Sequence, residues 1–163
     1  MRREHWMLRR IAMILALLTV LSHTSRAACG SISFEQLLAH PDVAAVFRAT
    51  VVHVRSVTYP LPEGLGPAAG QVATLHVTTL WKGDVARDTV LYFGLGESQR
   101  QLELRQEYLF IAMPLSEVGR RQFGVAADVD QPLRANEFGC GAMPFDRPST
   151  QQLIGIVPGR PPR

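Results

Sequence analysis

The sequence predicts an all-β domain: a small, closed antiparallel barrel of five strands with short flanking helices. Three observations point there. Five valine- and aromatic-rich runs are punctuated by Gly and Pro. The helical signals are short, and nothing alternates strand with helix in the manner of a parallel sheet. One Pro/Gly-rich stretch joins two of the runs as a long hairpin loop. An immunoglobulin-type sandwich is the competitor. It lacks its cysteine–tryptophan–cysteine spacing, because Cys140 is too far from Cys29 and Trp81 sits at a turn.

Residues 1–27 read as an export signal. Arg2, Arg3, Arg9 and Arg10 form a positive start, and Ile11 to Leu21 is an apolar run. Ser25-Arg26-Ala27 fits the small-x-small cleavage rule. The run is shorter than the about 20 residues a spanning helix needs, so no membrane span is expected after cleavage. An uncleaved anchor and a lipoprotein are the alternatives. A lipobox wants an aliphatic residue where Arg26 stands. Export implies a periplasmic or extracellular location.

Cleavage changes the charge. The chain carries 17 Lys+Arg and 14 Asp+Glu, a net +3. Arg2, Arg3, Arg9, Arg10 and Arg26 leave with the signal, and of the acids only Glu4 leaves. The remainder is close to neutral, with Lys82 its only lysine. No basic stripe remains, which excludes nucleic acid as a partner.

Residues 28–157 form one domain, with 158–163 as a tail. Ser33-Phe34-Glu35-Gln36 is a capping box, so a short helix runs to about His40, where Pro41-Asp42 breaks it. Val43 to Val57 is a long strand, bulged near Val51-Val52, where its alternation slips. Tyr59 to Gly70 has no periodicity and reads as the hairpin loop. Gln71 to Trp81 alternates, with Ala73, Leu75, Val77 and Thr79 on one face and Thr74, His76 and Thr78 on the other. Lys82-Gly83-Asp84 is a turn. Thr89 to Phe93 and Glu107 to Met113 are strands, and Gln122 to Val129 is a weaker fifth. Ser149 to Val157 reads as a capped helix.

Cys29 and Cys140 are the only cysteines. An even pair in an oxidising compartment, bracketing the folded part, reads as one structural disulfide. Closing so long a loop stabilises by up to ~4–5 kcal/mol in the chain-entropy model. Two unrelated buried thiols are the alternative.

An enzyme is not expected. The sequence has no His-Glu-x-x-His, no Gly-x-Ser-x-Gly, no phosphate loop and no Cys-x-x-Cys. His53 and His76 fall on neighbouring strands and could meet on one face, but two ligands are too few for an intrinsic metal, and solvent-facing histidines are the simpler reading. Glu103, Glu107 and Glu117 read as solvated, and Trp81 as a core or rim aromatic. No cofactor is expected, and the chain reads as a monomer.

Several stretches, in this order, resemble the tissue inhibitors of metalloproteinases and the wider netrin-like domains, especially the bacterial ones. Cys29 precedes a short helix. Val46-Phe47-Arg48-Ala49-Thr50-Val51 looks like the family's first long strand. Leu75-His76-Val77 leading into Leu80-Trp81-Lys82-Gly83 is similar to its second strand and "WKG" turn. Glu107-Tyr108-Leu109-Phe110-Ile111-Ala112 resembles its "YLVFA" strand, and Cys140 follows. The likeness covers about residues 28–150. It implies an OB-fold-like barrel, in agreement with the strand reading, and a Cys29–Cys140 pairing.

The resemblance also implies a mode of action. Family inhibitors begin with Cys-x-Cys and place the free amine and carbonyl of the first cysteine on a target protease's zinc. Here Cys29 matches the second of those cysteines, and Ala27 stands where the first would be. Cleavage leaves Ala28 as the free amine, held by one disulfide instead of two. Zinc takes such N and O ligands at about 2.0–2.2 Å. The partner-binding residues implied are Ala28, Cys29 and Gly30, with Leu61, Glu63 and Leu65 of the hairpin loop adding contact. Two functions stand: a secreted, non-enzymatic protein-binding module that inhibits a zinc metalloprotease, or a scaffold domain of the cell envelope.

Overall fold

Runs rich in β-branched and aromatic residues become the four long strands of the described residues, and two three-residue strands join them. The computed structural model describes residues 33–60, 66–94, 101–135, 141–155 and 157–163. Helix α1 (Phe34–Ala39) leads into β1 (Ala45–Pro60), β2 (Pro67–Lys82), β3 (Asp88–Gly94) and β4 (Glu107–Pro114). Helix α2 (Glu117–Phe123), β5 (Leu133–Ala135), β6 (Ala142–Pro144) and α3 (Pro148–Ile154) complete it. The molecule is mostly β, a six-stranded sheet with three short helices.

The strand order is β1-β2-β3-β5-β4-β6, and β1 also pairs with β4. The pairings therefore return on themselves through β1, β2, β3, β5 and β4. All are antiparallel except β3 with β5. That one parallel contact departs from the expected all-antiparallel arrangement. It arises because the chain leaves β4, passes through α2, and returns against β4 on the edge that also faces β3.

The first half of β1 explains the core. Residues 45–50 pair with β4 on one edge while the strand pairs with β2 on the other. Ala45, Phe47, Ala49 and Val51 point into one cluster with Leu75, Val77, Leu91, Phe93 and Phe110. Val46 points the opposite way, into a second cluster with Leu109 and Ile111. The inner face is buried throughout, while the outer face is buried at Val46 and half-buried at Arg48 and Thr50, which is where the apolar run is interrupted. Phe34 of α1 and Ile154 of α3 cover the second cluster. Phe47 and Phe110 lie with ring centroids 5.5 Å apart. The predicted slip is present as a register shift between Val51 and His53, one of three along β1.

Three expectations are corrected. Gln122 to Val129 is not the fifth strand; that place belongs to Leu133–Ala135. Ser116 caps α2 by accepting from the Gly119 N–H, and Gly124 ends it at φ 63. Arg120 then donates through Nη2 to the carbonyls of Ala126, Ala127 and Val129, at 3.0, 3.2 and 3.0 Å. One guanidinium satisfies the carbonyls that a ladder would have used. Next, much of Tyr59 to Gly70 is strand: Val57, Thr58, Tyr59 and Pro60 pair with Gly70, Ala69, Ala68 and Pro67. Residues 61–65 lie outside the described residues. Last, the tail is bound. Leu80 and Arg160 exchange both backbone hydrogen bonds at 2.8 Å, and Arg87 N–H donates to the Arg163 carbonyl at 2.9 Å.

Phe47 is fully buried while Val52, five residues along the same strand, is 57% exposed. Phe47→Ala should cost about 3–5 kcal/mol of unfolding free energy. Val52→Ala should change it by no more than about 0.5 kcal/mol. Urea titration of both variants checks this.

Candidate functional site

All the residues singled out for partner binding lie outside the described residues: Ala28, Cys29, Gly30, Leu61, Glu63 and Leu65, and with them Cys140. The described chain resumes at Ser33, at Gly66 and at Gly141. After Cys29, Ser33 accepts from the Gln36 N–H while Gln36 Oε1 accepts from the Ser33 N–H at 2.9 Å. This capping box satisfies two otherwise orphaned donors and fixes where α1 begins. Phe34 then enters the outer cluster that contains Ile111. After Cys140, the Gly141 carbonyl accepts from the Ile111 N–H at 3.1 Å. Phe34 thus belongs to the cluster that contains Ile111, and Gly141 is hydrogen-bonded to Ile111 itself.

The turn after β2 holds α1 down. Trp81 meets Phe34 edge-on, with ring centroids 5.7 Å apart and planes at 87°. Its indole Nε1 donates to the Val157 carbonyl at 2.9 Å. Lys82 Nζ donates to the His40 carbonyl at 2.6 Å, at the residue that caps the end of α1. Gly83 has φ +84, and a Cβ there would stand 2.3 Å from the Ala44 carbonyl oxygen. Trp81, Lys82 and Gly83 therefore each make a separate contact with the segment from Phe34 to Ala45. The reading of Trp81 as a rim aromatic holds.

The hairpin tip leaves from the other end of the β1–β2 ladder. Val46 pairs with Lys82 beside α1, and Pro60 with Pro67 at the far end. There Tyr59 stacks on Phe123 of α2 at 4.9 Å, and Phe123 on Tyr92 at 5.3 Å. Gly70 permits this: a Cβ would come within 2.9 Å of the Tyr59 ring. Tyr59, Ser116, Phe123 and Arg134 line a cleft there of about 70 Å³. That is far below the ~300–1,000 Å³ of small-molecule sites.

The other candidates resolve into structural roles. His53 pairs with Thr74 and His76 with Thr50, so the two histidines share one exposed face in diagonal positions. His76 Nδ1 lies 2.9 Å from Asp88. No group of three or more metal-ligating side chains occurs among the described residues. Glu103 and Glu117 are exposed, as expected. Glu107 is not simply solvated: it is half-buried and takes two hydrogen bonds from Arg48, whose guanidinium lies 3.9 Å over the Phe145 ring. Among the described residues, no helix is long and apolar enough to cross a membrane. No protein-family model matches the chain, and no curated protein does.

The sequence reading missed the bond from Trp81 to Val157, and α2. The first has no local signal, because its partners lie 76 positions apart. The second had one: Ser116 before Glu117, Arg120-Arg121, then Gly124 is a cap-to-stop pattern.

Gly83 and Gly124 separate two costs of a side chain at positive φ. Gly124 has open space where a Cβ would go, so Gly124→Ala should cost only about 1–2 kcal/mol of backbone strain. Gly83→Ala adds a clash with backbone and should cost clearly more. Equal denaturation midpoints for the two variants would contradict this account of the turn.

Proposed function

We propose that this chain is an exported, non-enzymatic protein-binding domain of the netrin-like, metalloproteinase-inhibitor-like kind, with its closed circuit of strands an OB-fold-like barrel. Its binding end is the free amine of Ala28, presented to the zinc of a partner metalloprotease in the periplasm or outside the cell. The carrying observation is the Trp81-Lys82-Gly83 turn. Each of its residues grips the segment from Phe34 to Ala45, so the chain is fixed a few residues beyond Ala28. A ligand held in advance loses less freedom on binding.

In this reading Cys29 bonds Cys140 and pins the amine from the other side. What supports that pairing is that Phe34, five residues after Cys29, shares an apolar cluster with Ile111, to which Gly141, next to Cys140, is hydrogen-bonded. Gly30, with no side chain, lets the backbone approach a cleft closely. Leu61, Glu63 and Leu65 extend the contact from the hairpin tip. The absence of a first family cysteine, with Ala27 in its place, favours a second reading: a scaffold domain of the cell envelope that has the fold without the activity.

Two experiments separate the readings. Non-reducing peptide mapping of exported protein should recover Cys29 and Cys140 in one linked fragment; two free thiols would remove the pin. Correctly processed protein should inhibit at least one enzyme in a panel of zinc proteases. Acetylating the Ala28 amine, or leaving one residue ahead of it, should then lower inhibition by about a hundredfold or more without changing the unfolding midpoint. Inhibition that survives blocking sinks the amine-on-zinc mechanism, and no inhibition by the processed protein leaves the scaffold.

A further inference from the structure

Residues 158–163 (Pro-Gly-Arg-Pro-Pro-Arg) read as a tail, yet with Val157 they run as a strap along the end of β2. β3 pairs with β2 only over residues 70–76. The Val77 N–H still donates to the Arg87 carbonyl at 2.7 Å, and at Leu80 the strap takes over the β2 edge. Arg160 exchanges two backbone hydrogen bonds with Leu80, and Arg163 bonds on both sides of Ala86, to Arg87 and Val85. The prolines at 158, 161 and 162 stand where no donor is used, as suits an edge.

The side chains lock the register. Arg160 Nη2 donates to the Gly83 carbonyl at 2.6 Å, and Arg163 pairs with Asp84. At Gly159 a Cβ would stand 2.2 Å from Thr79 Cγ2 and 3.2 Å from the Trp81 ring. Only glycine lets the strap lie flat on Trp81.

Trp81 is thus held from two sides. The strap accepts its indole N–H through Val157 and covers it at Gly159; on its other side the ring edge packs against Phe34 of α1. Gly83, which the strap grips through its carbonyl, is the residue seated on Ala44. α1 is six residues long, too short to persist without such packing.

We infer that the C-terminal strap is a positioning element for the N-terminal helix: it holds the Trp81–Gly83 turn in the conformation that docks α1, so releasing the strap releases α1 and the residues that lead into it. The consequence for partner binding rests on the reading of the N-terminus as the binding end; the coupling itself does not. Events that lift the strap, such as C-terminal proteolysis or capture of its Pro/Arg segment, would loosen the N-terminal end from a distance.

Amide hydrogen exchange on the full chain tests the coupling without any assay of inhibition. In Gly159→Val, the Leu80 and Arg160 amides should lose protection, reporting strap release. The α1 amides of Leu37 and His40 should then exchange about tenfold faster or more, while Phe110 and Ile111 in β4 stay within about twofold of the parent. Arg160→Pro removes the N–H that bonds Leu80 and adds no bulk at Trp81; read at the Leu80, Leu37 and His40 amides it should give the same pattern, which separates strap release from a clash at the ring. Unchanged α1 exchange in a variant whose strap has released overturns the inference. So does an equal loss across α1 and β4, which reports global destabilisation. Loss of α1 protection in Gly159→Val but not in Arg160→Pro also overturns it, since the bulk at Trp81 would then be the cause.

Discussion

Residues 45–50 of β1 are paired on both edges, and the rest of the molecule follows from that. A strand so placed turns Phe47 to one apolar cluster and Val46 to another, both fully buried. The inner cluster is closed by the sheet itself. The outer one, with Leu109 and Ile111 beside Val46, is packed against by Trp81 and Met143 and takes further cover from helices. Burying an aliphatic side chain contributes about 1.5–3 kcal/mol, so an uncovered outer cluster would be a large loss. Phe34 and Ile154 supply the cover, which is why the chain carries helices α1 and α3 before and after its sheet.

Such short helices do not stay in place through their own hydrogen bonds. α1 has its capping box, but six residues bring little cooperativity. Its fixation comes from the turn that ends β2. The edge-on ring contact, the ammonium on the helix's terminal carbonyl and the glycine seated on Ala44 act on three successive points of one segment. The other side of the turn carries the strap. Both ends of the described chain are thus tied to a few residues around Trp81, while the Pro60–Pro67 pair lies at the opposite end of the same ladder. This separation divides the surface into a fixed end near α1 and a far end packed by Tyr59, Phe123 and Tyr92.

Local chemistry was legible. The capping box at Ser33, the stop at Pro41, the bulge near Val51 and the alternation of Ala73, Leu75 and Val77 each depend on residues adjacent in sequence, and each stands in the structure. The hairpin was read too short because Gly and Pro count against strand in a local window. Here Gly70 is tolerated, even required, since it leaves room for the Tyr59 ring. Gln122 to Val129 looked like strand because Val125, Ala126 and Val129 carry β-compatible side chains. Arg120 overrode that preference by collecting three of the segment's carbonyls.

By itself the sequence determined the mostly-β class, the first four strands, and helices α1 and α3. Those features rest on periodicity, capping and turn residues, which act over a few positions. Only the tertiary structure decided that β5 lies parallel to β3, that Glu107 binds Arg48, and that the tail is a strap on β2. Each of these joins groups far apart in the chain. Their free energy comes from satisfying backbone and charged groups that have no partner nearby in sequence, and no local pattern records where such a partner will be found.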